Sequence, residues 1–172
     1  MNAARFTPLL VGALVTQRLL ELRHARRNEQ LARQAGATEH GAGHYPAIVL
    51  LHAGWLAGLW LEGRHSRQAV NTPALLGAVT LQALRYRIIR DLGVYWNTKI
   101  LIWPGAKRVE TGTYQYIRHP NYWVVMAEMF LVPQIVHALK TSLIGGTLNL
   151  LLLALVRIPA EEKALREYDQ QK

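Results

Sequence analysis

Two short stretches of this chain carry the residue types that could do chemistry on a charged, ring-bearing small molecule. The first is "GTYQYIRHPNY", with Gly112, Tyr114, Arg118, His119, Pro120, Asn121 and Tyr122; the second is "RIPAEE", with Arg157, Glu161 and Glu162. Tyr114, Tyr116, Tyr122 and Trp123 offer flat faces to a ring or a cation. Glu161 and Glu162 can accept hydrogen bonds from hydroxyls or an ammonium group. Arg118 and Arg157 can fork onto a carboxylate. Gly105 and Gly112 permit close backbone approach. Taken singly, each residue also has a plainer role. Arg118 and His119 suit a positive anchor at a membrane boundary, Tyr122 and Trp123 an aromatic belt, and the two glutamates a solvated helix start favoured by the helix dipole.

The elements around these stretches decide whether they meet. Five apolar runs occupy residues 6–22, 45–61, 72–84 (with helical character continuing to 92), 122–139 and 142–156. A membrane helix needs about 20 residues, within a range of roughly 17–25. Five such runs leave too little amphipathic helix to cover them in water. The reading is therefore an all-α, polytopic integral membrane protein of about five spans. It is one domain, 1–172, with N-terminal spans in 1–92 and a loop, a helical hairpin and a polar tail in 93–172. Residues 122–156 form the hairpin, turning near Lys140, with Pro133 expected to kink its first arm. A hairpin returns the chain to the level it left. The two polar stretches, roughly 40 residues apart, therefore meet at one membrane surface. Residues 23–44 are long enough for an interfacial helix separate from the first span and ended by Gly36. Residues 91–122, punctuated by Gly93, Pro104, Gly105, Gly112 and Pro120, read as a structured loop. Pro159 is expected to break the last helix where it leaves the membrane, with a short helix restarting over 160–168.

Charge orients this arrangement. The 172 residues are 51 % hydrophobic, contain no cysteine and carry a formal net charge of +9. Disulfides, zinc–thiolate sites and cysteine nucleophiles are excluded, and no metal site is expected. With five spans, Arg5, Arg64, Arg67 and Lys140 fall on one side and fifteen Lys and Arg on the other. The basic side faces the cytoplasm. The N-terminus is then outside and both polar stretches lie on the inner face of a bacterial membrane. The first run is a retained span, because no small-residue cleavage site follows it. Basic charge spread along a membrane face, with no nucleic-acid motif, argues against nucleic acid as a partner. His44, His52 and His137 sit in different spans with no motif around them, so haem is a weak idea.

A zwitterionic, adenine-bearing cation meets the demands of the polar residues, and S-adenosylmethionine is such a molecule. No strand–loop–helix unit with a Gly-rich turn is present, so a Rossmann fold is not expected. The pattern Gly-x-Tyr-x-x-x-Arg-His-Pro-x-Tyr, followed after an apolar hairpin by Arg-x-x-x-Glu-Glu, resembles the isoprenylcysteine carboxyl methyltransferase family. The upstream "YWNTKILIWPGAKRVETG" looks most like the bacterial branch found with type III polyketide synthases, which O-methylates alkylpyrones. The resemblance implies a membrane enzyme using S-adenosylmethionine on a lipophilic or prenylated acceptor. It implies that Ala106, Lys107, Arg108 and Val109 lie along the cofactor through backbone contacts. Tyr114, His119, Pro120, Asn121 and Tyr122 would line its adenosine and methionine parts, and Glu161 would hold it. Arg157 would face the acceptor oxygen as catalytic and substrate-binding residue, and His119 could take a proton from a phenolic acceptor. Two other classes remain: a membrane reductase with a similar box, and a non-catalytic membrane protein that binds the same ligand.

Overall fold

The computed structural model describes residues 1–106 and 109–170. Among the described residues, six α-helices carry the fold: α1 (Ala3–Gln34), α2 (Tyr45–Gly63), α3 (Thr72–Leu92), α4 (Pro120–Leu131), α5 (Leu139–Leu152) and α6 (Ile158–Gln170). Two three-residue strands, β1 (Thr38–His40) and β2 (Ile100–Ile102), pair antiparallel with Glu39 opposite Leu101. The architecture is mostly helical, as expected, but this small ladder departs from an all-α reading. Three residues per strand are too few to show an alternating pattern.

The helix boundaries follow from local chemistry. The Asn2 side chain accepts from the Ala4 amide at 2.8 Å, and Asn71 accepts from the Ala74 amide at 3.2 Å. Each satisfies a donor that a helix start would leave orphaned. α1 ends at Gly36 as expected, with Gly36 N–H returning to Arg33 O and Ala37 N–H to Ala32 O. This paired closure is a Schellman cap. However, no break separates a first span from an interfacial helix. α1 is continuous over 32 residues, about 48 Å at 1.5 Å per residue. Nothing between Leu22 and Gly36 interrupts a helix, and the change from apolar to charged side chains is not itself a breaker.

Pro133 stops α4 rather than kinking it. The chain continues as a 3₁₀ turn (Val132–Val136) and reverses at His137, whose φ is 60°. Proline supplies no amide to the carbonyls of the preceding turn. Trp55 Nε1 donates to Met129 O at 3.1 Å and Ser142 Oγ donates to Phe130 O at 2.7 Å, so α2 and α5 satisfy those carbonyls. At the other end of the hairpin, Pro159 does not break the helix. A π-helical turn (Leu153–Arg157) joins α5 to α6, and the helical path runs from Leu139 to Gln170. The wider turn lets the helix pass a residue with no amide to donate.

α1, α2, α3 and α4, with the 3₁₀ turn that follows α4 and Leu153 of the π turn, share one apolar core around Leu14, Trp55, Leu59, Met129, Val132 and Ile135. Bare Cα atoms at Gly145 and Gly146 admit Trp55 and Phe130 against α5, where a Cβ would lie 2.5 Å from each ring. A polar knot is set within this helix packing. Glu128 of α4 accepts from Arg18 of α1 at 2.7 Å and from Gln82 of α3 at 3.0 Å. Glu21 takes both ends of the Arg85 fork at 2.6 and 2.8 Å. Buried charge survives only where it is paired and hydrogen-bonded, and here two arginines meet two carboxylates. The outer faces are apolar: Leu50, Leu76, Val79, Ile144 and Leu155 are all exposed. Two helical stretches, Ala42–Gly63 and Leu139–Gln170, are long and apolar enough to cross a membrane by length and composition. α1 and α3 carry the charges of the knot and do not meet that criterion.

The segment between α3 and α4 is the structured loop that its glycines and prolines indicate. α1 forms its backing. Asn28 Nδ2 donates to Trp96 O at 2.8 Å and Gly93 O at 3.1 Å, and Asn97 Nδ2 donates to Ala25 O at 3.0 Å. Lys99 bridges Glu29 and Glu39 at 2.8 and 3.3 Å, tying β2 to α1 and β1. On its other side, β2 packs Ile100 and Ile102 against Ala160, Ala164 and Leu165 of α6.

Candidate active site at the end of the helical hairpin

The start of α4 and the π turn stand side by side, so the two polar stretches meet as the hairpin requires. Arg157 is the centre of the contact and is only 4 % exposed. Its Nε donates to the Tyr122 hydroxyl at 3.1 Å, its Nη2 donates to Thr98 O at 2.9 Å, and its Nη1 lies 3.4 Å from His44 Nε2. Tyr122 in turn donates to Glu161. His119 Nε2 is 2.8 Å from Glu162, and its ring stacks on Tyr122 with centroids 5.5 Å apart. A chain of contacts therefore runs from Arg157 through Tyr122 to Glu161, one helical turn away on the same helix.

Beside this chain opens a cavity of about 660 Å³. Ala106, Val109, Tyr114, His119, Asn121, Tyr122, Arg157 and Glu161 line it. Pro120 is buried at the first position of α4, fixing the direction in which Asn121 and Tyr122 leave the loop. Lys107 and Arg108 lie outside the described residues. Tyr116 and Trp123 do not supply ring faces to the cavity: they are 81 % and 61 % exposed and point away. Trp96 and Trp103 are among the lining residues instead. Trp96 stacks on His24 at 5.6 Å.

Two buried polar atoms at the cavity wall have no hydrogen-bond partner within the protein, Asn121 Oδ1 and Trp96 Nε1. One is an acceptor and the other a donor, and buried groups of this kind are normally satisfied. The Tyr114 hydroxyl is held protonated, because burial and then the charges of Glu161 and Asp91 raise its pKa. Tyr114 is placed by the 3₁₀ turn Gly112–Gln115. Asp91 accepts from the Thr113 amide at 2.9 Å and from its hydroxyl at 3.1 Å. A Cβ on Gly112 would stand 2.3 Å from the Asp91 carboxylate, and φ there is +62°. Only glycine closes the turn this tightly.

Sequence reasoning missed His44, Thr98 and Trp96 as parts of the site. They reach it through the docking of α2 and of the 96–102 segment, which no local pattern encodes. "HGAGHY" before an apolar run was the available signal for His44. His119 does not stand at Arg157: Glu162 and the Tyr122 ring engage it, and His44 fills that place.

The model of the isoprenylcysteine carboxyl methyltransferase (ICMT) family matches residues 74–167. The chain belongs to this family. The match spans the loop, the hairpin and both polar stretches. The uncharacterized protein YpbQ of Bacillus subtilis (strain 168) is 41 % identical over 163 residues, covering 93 % of this chain and 96 % of the relative. An uncharacterized protein of Haemophilus influenzae (strain ATCC 51907 / DSM 11121 / KW20 / Rd) is 26 % identical over 164 residues, covering 93 % of this chain and 95 % of the relative. No solved structure matches. Family membership implies methyltransferase activity and association with a membrane.

Proposed function

We propose that the protein is an S-adenosylmethionine-dependent O-methyltransferase acting on a lipophilic acceptor at the inner face of a bacterial membrane. The observation that carries this reading is the Tyr122 hydroxyl, which joins the cavity carboxylate Glu161 to Arg157 at the end of the last span. A ligand held at Glu161 and an acceptor held at Arg157 are then one side chain apart. The residues present fit the cofactor. The cavity offers tryptophan and tyrosine rings, an orphaned amide oxygen at Asn121 for a donor and an orphaned N–H at Trp96 for an acceptor. Glu161 would accept from its hydroxyls or ammonium, with Ala106, Val109, Tyr114, His119, Asn121 and Tyr122 around the rest. When bound, the cofactor supplies an electrophilic methyl group.

The chain's own contribution is position and desolvation. Arg157 presents a planar fork at the membrane end of the cavity. Tyr122 and Thr98 O hold it, so its remaining N–H can orient an acceptor oxygen without rearrangement. The acceptor is a prenylcysteine-type carboxylate or an alkylpyrone-type hydroxyl, and its tail lies in the bilayer. With five spans, the fifteen-to-four split of basic residues supports an outer N-terminus and a cytoplasmic cavity.

Glu161→Gln tests the reading. A hydrogen bond to a charged group is worth about 1.5–3 kcal/mol, so affinity for S-adenosylmethionine falls by roughly ten- to a hundred-fold while the protein stays folded. Calorimetric titration of both proteins reads this directly. Equal affinity removes Glu161 from the cofactor site.

A further inference from the structure

We propose that His44 is a catalytic residue paired with Arg157: the two side chains seat the acceptor oxygen together, the guanidinium donating and the imidazole accepting, so the acceptor arrives as a protonated hydroxyl. This rests on the methyltransferase reading and narrows it. A carboxylate acceptor is ionised near neutral pH and needs no base, whereas a phenol or enol that keeps its proton does.

Three features of the structure support the pairing. First, a guanidinium can only donate, so the His44 Nε2 that faces Arg157 Nη1 is the unprotonated nitrogen. At 3.4 Å the contact is long, and an oxygen bearing a hydrogen can replace it by accepting from one side chain and donating to the other. Second, the place of the ring is cleared for it. Gly41 has φ +64°, and a Cβ there would lie 2.3 Å from His44 Cε1. Third, the groups around the ring are tied to one another. Arg157 comes from the π turn and Tyr45 from His44's own end of α2. Lys99 lies 6.0 Å from the Tyr45 ring centroid and is paired with Glu29 and Glu39. Tyr45 and Arg157 both contact Thr98, through its hydroxyl at 3.1 Å and its carbonyl at 2.9 Å, so one residue ties His44's helix to the guanidinium.

The step balances without a further reagent. The acceptor oxygen uses a lone pair to form the new O–C bond to the methyl group. The S–C pair stays on sulfur, which becomes a neutral thioether. The hydroxyl proton passes to His44 Nε2 and leaves to water after the product departs.

The test uses the full chain in lipid nanodiscs with two probes, a long-chain alkylresorcinol (a phenol) and an N-acetyl-S-prenylcysteine (a carboxylate). Labelled methyl transfer is measured against pH for wild type, His44→Gln and Gly41→Ala. Affinity for S-adenosylmethionine is measured by calorimetry on the same samples. Wild type is expected to methylate the phenol, with a rate that falls as pH drops through and below the ordinary histidine range. His44→Gln loses phenol turnover by roughly a hundred-fold or more, the scale of general-base catalysis, keeps its cofactor affinity within about two-fold and loses the acid limb. Gly41→Ala displaces the same ring without changing its chemistry and lowers phenol turnover in the same direction. Phenol turnover in His44→Gln within about three-fold of wild type overturns the proposal, as does a parallel loss of turnover and cofactor affinity. So does transfer to the carboxylate alone, or to neither probe, by a wild type that binds the cofactor. A wild type that does not bind S-adenosylmethionine overturns the methyltransferase reading itself.

Discussion

The polar knot around Glu128 and the polar cluster around Arg157 are built from the same parts. Each has an arginine fork, carboxylates and neutral hydrogen-bonding side chains, and each is largely buried. They differ in closure. In the knot, the charges of Arg18, Glu21, Arg85 and Glu128 are matched within the set, and Gln17 and Gln82 fill the gaps. Around Arg157, the cavity leaves Asn121 Oδ1 and Trp96 Nε1 without partners, and His44 sits at a loose 3.4 Å. A satisfied buried network fixes helices, whereas an unsatisfied one beside a cavity is an invitation to a ligand. Residue type does not separate the two regions; the count of unmet hydrogen bonds does.

Breaking the closed set gives the largest expected effect. Glu128→Ala leaves Arg18 and Arg85 facing each other with one carboxylate fewer. Removing one partner from a buried ion pair costs about 3–5 kcal/mol, so the variant loses most of its thermal stability in detergent, as read by the unfolding midpoint. A midpoint near that of wild type means the knot contributes little to the packing of α1, α3 and α4.

Arg157→Lys probes the open set, and the expected effect is smaller and different in kind. Lysine keeps the charge but offers no planar fork for Tyr122, Thr98 O and an acceptor together. Folding and cofactor affinity stay near wild type, while turnover of whichever acceptor the wild type methylates falls by roughly a hundred-fold, the scale of a misplaced reacting group. Measuring affinity and turnover on one sample separates the roles. Unchanged turnover makes Arg157 an anchor, and lost affinity moves it into the cofactor site.

How much of this was legible in the sequence follows the same division. The open cluster was visible because its residues are polar where their neighbours are not, and because a hairpin of two apolar runs must bring its ends together. The closed knot was hidden. Glu128 lies inside the run 122–139, where averaging over apolar neighbours conceals a single carboxylate, and Arg18 in the first run shows only Glu21, one turn on, as a partner. Partners on three helices only appear once the helices pack. Pro159 was misread for a related reason. A proline signals a break when the helix has no other way to route its hydrogen bonds, and the π turn at 153–157 provides one. Tyr116 and Trp123 could be recognised as ring faces but not as outward-pointing ones, because Tyr116 follows a 3₁₀ turn clamped by the distant Asp91 and Trp123 lies on the exposed face of α4.

That turn gives the smallest expected effect. Asp91 donates nothing and accepts from Thr113 twice, and its pKa is lowered first by the backbone hydrogen bond. A carboxyl whose pKa is lowered on folding contributes above its ordinary value near 3.8 and loses that contribution as pH falls through its lower folded value. Tyr114 and its turn should therefore loosen only below about pH 4, with faster hydrogen exchange at the Thr113 amide and no global unfolding. An unchanged Thr113 exchange rate, after correction for intrinsic pH dependence, removes Asp91 as the clamp.

The unbroken path from Leu139 through the π turn into α6 has a consequence for substrate selection. Eighteen residues separate Leu139 from Arg157, about 27 Å at 1.5 Å per residue, which is close to the roughly 30 Å of bilayer hydrocarbon. In the proposed orientation, a rod with its far end near the outer boundary would hold the guanidinium at a fixed depth near the inner one. Such a rod works as a depth gauge. It checks how far below the headgroups a reactive oxygen rides, and it is indifferent to how many carbons trail behind.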